Sequence, residues 1–277
     1  MAIQTLLDRQ NFSCNCADGV IGRKTRQAFR AWQGVNGLPV TGKPDERTLH
    51  LLGPPDTAFT THTVTAEEVA ALTPVPKTWW GKSQATQLGY ETILETVAEE
   101  YHSSEEAIRK LNPDAPWPNP AAGTTLVVPN PRPFKTSAAV ALTIVLGEKL
   151  IRAVDASGKL IAQFPCSIAK DKKKLPAGDL TIVNCASDPT YVLNPAVFME
   201  DKEVQALGKR LIIPAGPNNP VGVAWITLSL PGYGIHGTPR PEDIGKTGSH
   251  GCFRLANWNA EKLLRMIRIG MPVLVEE

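Results

Sequence analysis

The chain has 277 residues, 42% of them hydrophobic, and its 29 Lys and Arg nearly balance 27 Asp and Glu, for a net charge of +2. That length accommodates two or three domains, and the even charge balance argues against nucleic acid as the main partner. No run of about 18 apolar residues occurs, so no membrane-spanning helix is expected, and the N-terminus lacks the basic-then-apolar pattern of an export signal.

Residues 1–54 read as a small helical unit. Ala28, Phe29 and Trp32 share one face of a helix from Thr25 to Gly34. Gly37-Leu38-Pro39 breaks it, and Asp45 to Leu52 starts a further helix with an acidic first turn. Gly53-Pro54-Pro55-Asp56 is a rigid, turn-rich linker. Across 58–131, Thr60–Val64 and Thr124–Pro129 read as strands, and Glu91–Tyr101 and Ser104–Leu111 as amphipathic helices, with Ser104 as a cap. The stretch from Thr65 to Gly89 carries Trp79 and Trp80. These could stack on sugar rings, but packing is favoured because tryptophan is more often buried for its area.

Pro129 to Pro133 is a second stiff linker. Short β-rich runs follow at Ala139–Leu146, Leu150–Val154, Leu160–Ser167, Asp179–Asn184 and Trp225–Leu230, which is a mainly-β pattern. Asn259–Ile269 reads as a helix and Met271–Val275 as a final strand. The proline-rich stretch 184–222 reads as a long loop forming a cleft wall or lid, with cover for an edge strand as the alternative. Cys14 and Cys16 are too close for an easy disulfide. Cys166 and Cys185 could pair or stay buried, and the odd total of five leaves at least one free thiol.

Chemistry concentrates in Ser249-His250-Gly251-Cys252-Phe253-Arg254, with His236-Gly237-Thr238 upstream. A nucleophilic cysteine needs a base to take its proton and backbone donors for the developing oxyanion. An imidazole can do the first and return the proton to a leaving amine. Arg254 is a planar, permanently charged donor suited to a carboxylate. A buried structural cysteine is the alternative, as is zinc on His236, His250 and Cys252. Zinc is disfavoured because no paired Cys-x-x-Cys or His-x-x-x-His element is present.

Taken together, Tyr233-Gly-Ile-His-Gly-Thr, Ile244-Gly245 and Ser249-His-Gly-Cys-Phe-Arg-Leu, with Pro214 to Gly222 and Ala224-Trp-Ile upstream, resemble the L,D-transpeptidase catalytic domain of the YkuD family across 134–277. The resemblance implies a mainly-β sandwich. It makes Cys252 the nucleophile and His236 the general base, oriented by the carbonyl of Gly237. Ser249 and His250 would shape the loop, and the N–H groups of Gly251 and Cys252 would face the oxyanion. Arg254 would hold a substrate carboxylate or brace the loop, and Tyr233 would contact substrate. No metal or cofactor is implied.

The implied substrate is a peptidoglycan tetrapeptide stem, cleaved before its terminal D-alanine, with transfer to an amine. Carbapenem β-lactams are the implied inhibitors, and the place of work is the periplasm or cell wall. Asp18-Gly-x-x-Gly22, Thr25, Ala28-Phe29, Trp32-Gln33 and Thr41-Gly42 resemble a three-helix peptidoglycan-binding domain over 1–54. Residues 58–131 resemble a glycan-binding LysM module whose Gly-Asp-Thr-Leu is replaced by the insertion Thr65–Gly89. The expected architecture is therefore multidomain: three helices, an α+β LysM-like unit, then a mainly-β catalytic domain. The first two would tether wall substrate. The alternatives are a carboxypeptidase or cross-link hydrolase using water, and a non-catalytic wall-binding scaffold.

Overall fold

A computed structural model describes residues 1–134, 137–249 and 251–277. Helices α1 (Ala2–Arg9), α2 (Arg23–Val35) and α3 (Glu46–Leu52) enclose a first core in which Leu7, Ala28 and Phe29 are fully buried. Helix α3 begins where Asp45 accepts the Thr48 N–H at 2.9 Å, satisfying one of the donors a helix start leaves open.

Next come β1 (Phe59–Thr63), α4 (Ala66–Ala71), α5 (Trp79–Gln84), α6 (Ile93–Glu100), α7 (Glu105–Leu111) and β2 (Thr125–Pro129). Strands β1 and β2 pair antiparallel, Phe59 opposite Pro129, and the two helices α6 and α7 bury Ile93, Leu94, Val97 and Ile108 against Leu126 and Val128. Ser104 caps α7, accepting the Ala107 N–H at 3.2 Å. The stretch 65–89 is more ordered than its prolines suggest. Thr65 and Glu68 form a reciprocal capping box that starts α4, and Thr78 caps α5.

The C-terminal half holds β3 (Ala141–Val145), β4 (Leu150–Val154), β5 (Leu160–Pro165), β6 (Gly178–Ser187), β7 (Tyr191–Leu193), α8 (Lys202–Leu207), β8 (Leu211–Ile213), β9 (Ala224–Leu228), β10 (Gly234–His236), β11 (Phe253–Arg254), α9 (Asn257–Leu264) and β12 (Pro272–Glu276). The expected sandwich is one continuous eight-stranded sheet, ordered β11-β10-β9-β6-β12-β3-β4-β5. Strand β6 is long enough to serve both halves: Gly178 to Thr181 pair with β12, and Ile182 to Ser187 pair with β9. Side chains from the two ends meet in one core, where Ile151 and Phe164 join Ile226, Ile235 and Phe253 over Leu263 of α9. A flat sheet could not bring those strands together, so the sheet curls around its own apolar face.

The stretch 184–222 is not a simple loop. It extends β6, then forms the β7–β8 hairpin with Tyr191 opposite Ile213, and α8 sits between the two strands. Leu193, Val204, Leu211 and Ile213 make a core of their own with Leu88. Strands β10 and β11 were not foreseen, being three and two residues long. Their pairing with β9 and with each other supplies the extended conformation that no local run of β-formers dictates.

The N-terminal helices dock directly on the sheet. Gln163 of β5 donates its N–H to Asn11 at 2.8 Å and accepts the Ser13 N–H at 2.9 Å, as one further rung beside the sheet edge. All five cysteines are free thiols. Burial raises the thiol pKa of Cys16 and Cys166 to about 12 and pushes those of Cys14 and Cys185 up as well.

Candidate active site

Strand β10 ends at His236, and β11 runs parallel beside it with Ile235 opposite Phe253 and His236 opposite Arg254. Cys252 immediately precedes β11, so the pairing that builds the sheet edge also brings cysteine and histidine to one cavity. Both line one open cavity of about 930 Å³, together with Ser249, Gly251, Arg254 and Trp225.

His236 is buried, at 6% exposure. Its Nδ1 lies 2.6 Å from the Gly237 carbonyl oxygen, a partner that only accepts, so Nδ1 carries the proton and Nε2 is left with its lone pair. Trp225 stacks on the imidazole at 5.4 Å between centroids and 20° between planes. Burial lowers the His236 pKa to about 4; the Gly237 carbonyl opposes this and the Arg254 charge adds to it. The ring is therefore neutral at pH 7.

The position after it must be glycine. A Cβ on Gly237 would lie 2.2 Å from Oδ1 of Asn257, at the start of α9. Asn257 in turn donates to Glu99 of α6 at 2.6 Å and to the Pro217 carbonyl at 3.1 Å. The imidazole is thus backed by residues from three parts of the chain. Neither Asn257, Glu99 nor the Trp225 stacking was identified from sequence, and no spacing signal marks them.

Cys252 points its thiol toward the Gly232 carbonyl, 3.6 Å away. Burial raises its pKa, while the Gly234 N–H and the Arg254 charge favour the thiolate less strongly. With the thiol pushed up and the imidazole pushed down, the resting pair is neutral thiol and neutral imidazole, not a standing ion pair.

Ser249 pins the loop before Cys252. Its hydroxyl donates to the Cys252 carbonyl and accepts the Gly251 N–H at 3.2 Å. The Gly251 N–H, expected to face an oxyanion, is engaged with the Ser249 hydroxyl. Arg254 braces the same segment, with Nη2 donating to the carbonyl and hydroxyl of Thr247, each at 2.9 Å. Its Nε is buried with no partner among the described residues. Tyr233 stands behind Gly251, 3.5 Å from where a Cβ would be, and its hydroxyl donates to the Lys174 carbonyl at 2.8 Å. It supports the loop from behind and is not among the residues lining the cavity. His250 lies outside the described residues.

A neutral acceptor nitrogen beside a thiol in a cleft, on a braced loop, is equipped for acyl transfer through a thioester. Among the described residues, the cluster that could hold a metal, His62 with Glu68 and Glu100, lies in the middle of the chain and not at this cavity.

Residues 139–275 match the family model for the L,D-transpeptidase catalytic domain (YkuD), and residues 1–52 match the model described as "Putative peptidoglycan binding domain". The chain is 25% identical over 187 residues to "Putative L,D-transpeptidase YkuD" of Bacillus licheniformis, covering 66% of this chain and 92% of that protein. A solved Enterococcus faecium L,D-transpeptidase mutant is 21% identical with a TM-score of 0.38; the match covers 50% of this chain and spans 50% of that one. The structure of the L,D-transpeptidase LdtMt1 in complex with imipenem is 16% identical with a TM-score of 0.37, covering 63% of this chain and 86% of that one.

Proposed function

The chain belongs to the YkuD family of L,D-transpeptidases through residues 139–275, and on that footing we propose that it cross-links or decorates peptidoglycan by cysteine acyl transfer. The observation that carries this reading is His236 with Nδ1 tied to Gly237, in one cavity with Cys252. Cys252 attacks the carbonyl of the third residue of a tetrapeptide stem, and its proton passes to His236 Nε2. The C–N bond to D-alanine breaks, and the same proton goes to the departing amine. An amine on a neighbouring stem or a wall protein then attacks the thioester and releases the thiol. A neutral resting pair suits this sequence, because the proton moves only as the S–C bond forms.

The proposed division is a peptidoglycan-binding unit at 1–54, a LysM-like unit with an insertion at 58–131 and the catalytic unit at 134–277. The order β1-α6-α7-β2, with α4 and α5 inserted, supports the second of these. Peptidoglycan glycan and stems are the partners, and the work is done outside the cytoplasm. Among the described residues no helix is long and apolar enough to cross a membrane. Carbapenem acylation of Cys252 is the inhibition this reading expects.

The test is D-alanine release and cross-linked dimer formation from purified tetrapeptide muropeptides, for wild type and Cys252→Ala. Release and dimer with wild type alone support the reading. Release without dimer moves it to a carboxypeptidase. D-alanine release that survives in Cys252→Ala removes the assigned nucleophile.

A further inference from the structure

One wall of the cavity comes from outside the catalytic half. Trp79 of α5 lines it beside Tyr191, Val197 and Phe198 of the β7–β8 unit, in the same space as His236 and Cys252. Its placement is held at several points. The indole N–H donates to Asp201 Oδ2 at 2.9 Å, and the ring tilts against Phe198 at 6.4 Å between centroids. Nearby, Leu88 donates its N–H to Ala215 at 2.9 Å and accepts from Asn218 at 3.0 Å. That approach needs glycine at 216, where a Cβ would fall 2.2 Å from the Leu88 carbonyl oxygen. Leu88 is itself fully buried in the core beneath the hairpin.

Trp79 is only half-buried, and it borders the cavity. Its ring is rigid, large and already ordered, so a ligand laid against it gains apolar contact at little entropic cost.

We infer that Trp79 is a substrate-contacting residue that selects acyl donors, its indole packing against the donor peptide that extends away from Cys252. This rests on the acyl-transfer reading above. The insertion in the middle unit is then part of the active site, and donor choice is shared between two parts of the chain.

The test uses the full chain and a tetrapeptide stem as the probe. Its Kd is measured by calorimetry on Cys252→Ala protein, and its KM and kcat are measured on protein with Cys252 intact, each with Trp79→Ala, Trp79→Phe and Trp80→Ala. Trp80 is exposed and does not line the cavity, so its variant is the control. The expectation is that Trp79→Ala raises Kd and KM about tenfold with kcat little changed, that Trp79→Phe recovers most of the loss, and that Trp80→Ala changes neither. The rate of Cys252 alkylation by iodoacetamide, too small to span the cavity, stays constant across the set. Kd and KM indifferent to Trp79 overturn the inference, as does an alkylation rate that shifts in step with KM, since that reports a collapsed cleft. Trp79-dependent binding without D-alanine release from wild type sinks the acyl-transfer reading and the donor-selecting role with it, and leaves only the Trp79 contact with the stem. Release with a Trp79-independent KM does the reverse.

Discussion

Lys262 of α9 places its ammonium 2.7 Å from Asp8 Oδ2 of α1, across 254 positions of sequence and fully out of solvent. His102, just past α6, completes the cluster with Nδ1 2.6 Å from the same carboxylate oxygen, and it stacks flat on Trp258 at 5.4 Å. Three separately cored parts of the chain therefore share one buried charge cluster. Burial pushes the Asp8 carboxyl up, but the charge of Lys262 and the contact with His102 override it and hold the group well below the ordinary range.

Removing one member strands the others. Asp8→Asn leaves Lys262 buried without its counter-charge and should cost about 3–5 kcal/mol, whereas Asp8→Asn with Lys262→Met should recover a large part of that. Urea unfolding of the two singles and the double closes the cycle. Additive losses would mean that the pair is not coupled.

The buried histidines should withdraw their share of stability early in acid. The unfolded chain takes up protons on histidine from about pH 6.5, while His236 resists protonation until about pH 4 and burial also lowers His102. Through these two rings the unfolded state binds more protons across that window, so their contribution to stability rises with pH and is lost as pH falls from 6.5 to 4, against the opposite pull of Glu99, whose buried carboxyl is pushed up to about 8. Urea midpoints at pH 7, 5.5 and 4.5 read this directly. His236→Gln should flatten the slope, and an unchanged slope contradicts the buried neutral ring.

Cys252 should behave as a high-pKa thiol until substrate arrives. Its alkylation rate should keep climbing through pH 9, because burial outweighs the Gly234 N–H and Arg254. A plateau below pH 8 would instead point to a standing thiolate–imidazolium pair. Brief labelling of the native protein should leave Cys14, Cys16 and Cys166 untouched, since each is buried with its pKa raised. Peptide mass mapping identifies the sites.

Gly237→Ala should drive its Cβ into Asn257 Oδ1, displacing the carbonyl that orients His236. The expected loss is on the order of 100-fold in kcat, with the fold kept, since small misplacements of a base are costly. Pairing it with Asn257→Ala should return part of the rate. Activity near wild type in Gly237→Ala would mean that the imidazole is oriented by something else.

The legible parts of the sequence were those in which one short segment carries its own cause. Ser249 to Arg254 and His236 pointed to side chains that the structure brings to one cavity, and Asp45 and Ser104 announced two helix starts that the structure keeps. What stayed hidden depends on long-range pairing. Strands β10 and β11 are extended because of their neighbours, and the hairpin within 184–222 needs Leu88, more than a hundred positions earlier, to bury its core. The bond from the Tyr233 hydroxyl to the Lys174 carbonyl likewise joins positions far apart in sequence. Trp79 was read as packing, and it does pack, yet the face it leaves open borders the cavity.

The rung that Asn11 and Ser13 add beside Gln163 changes what the N-terminal helices can be. A module on a slack leash would let the cleft roam over a disc of wall around its anchor. Fastened to the sheet edge and locked by Lys262, these helices leave no slack. If they grip glycan, the cleft meets stems at one fixed offset and angle, so the protein would work as a gauge that reads the spacing of the strand beneath it.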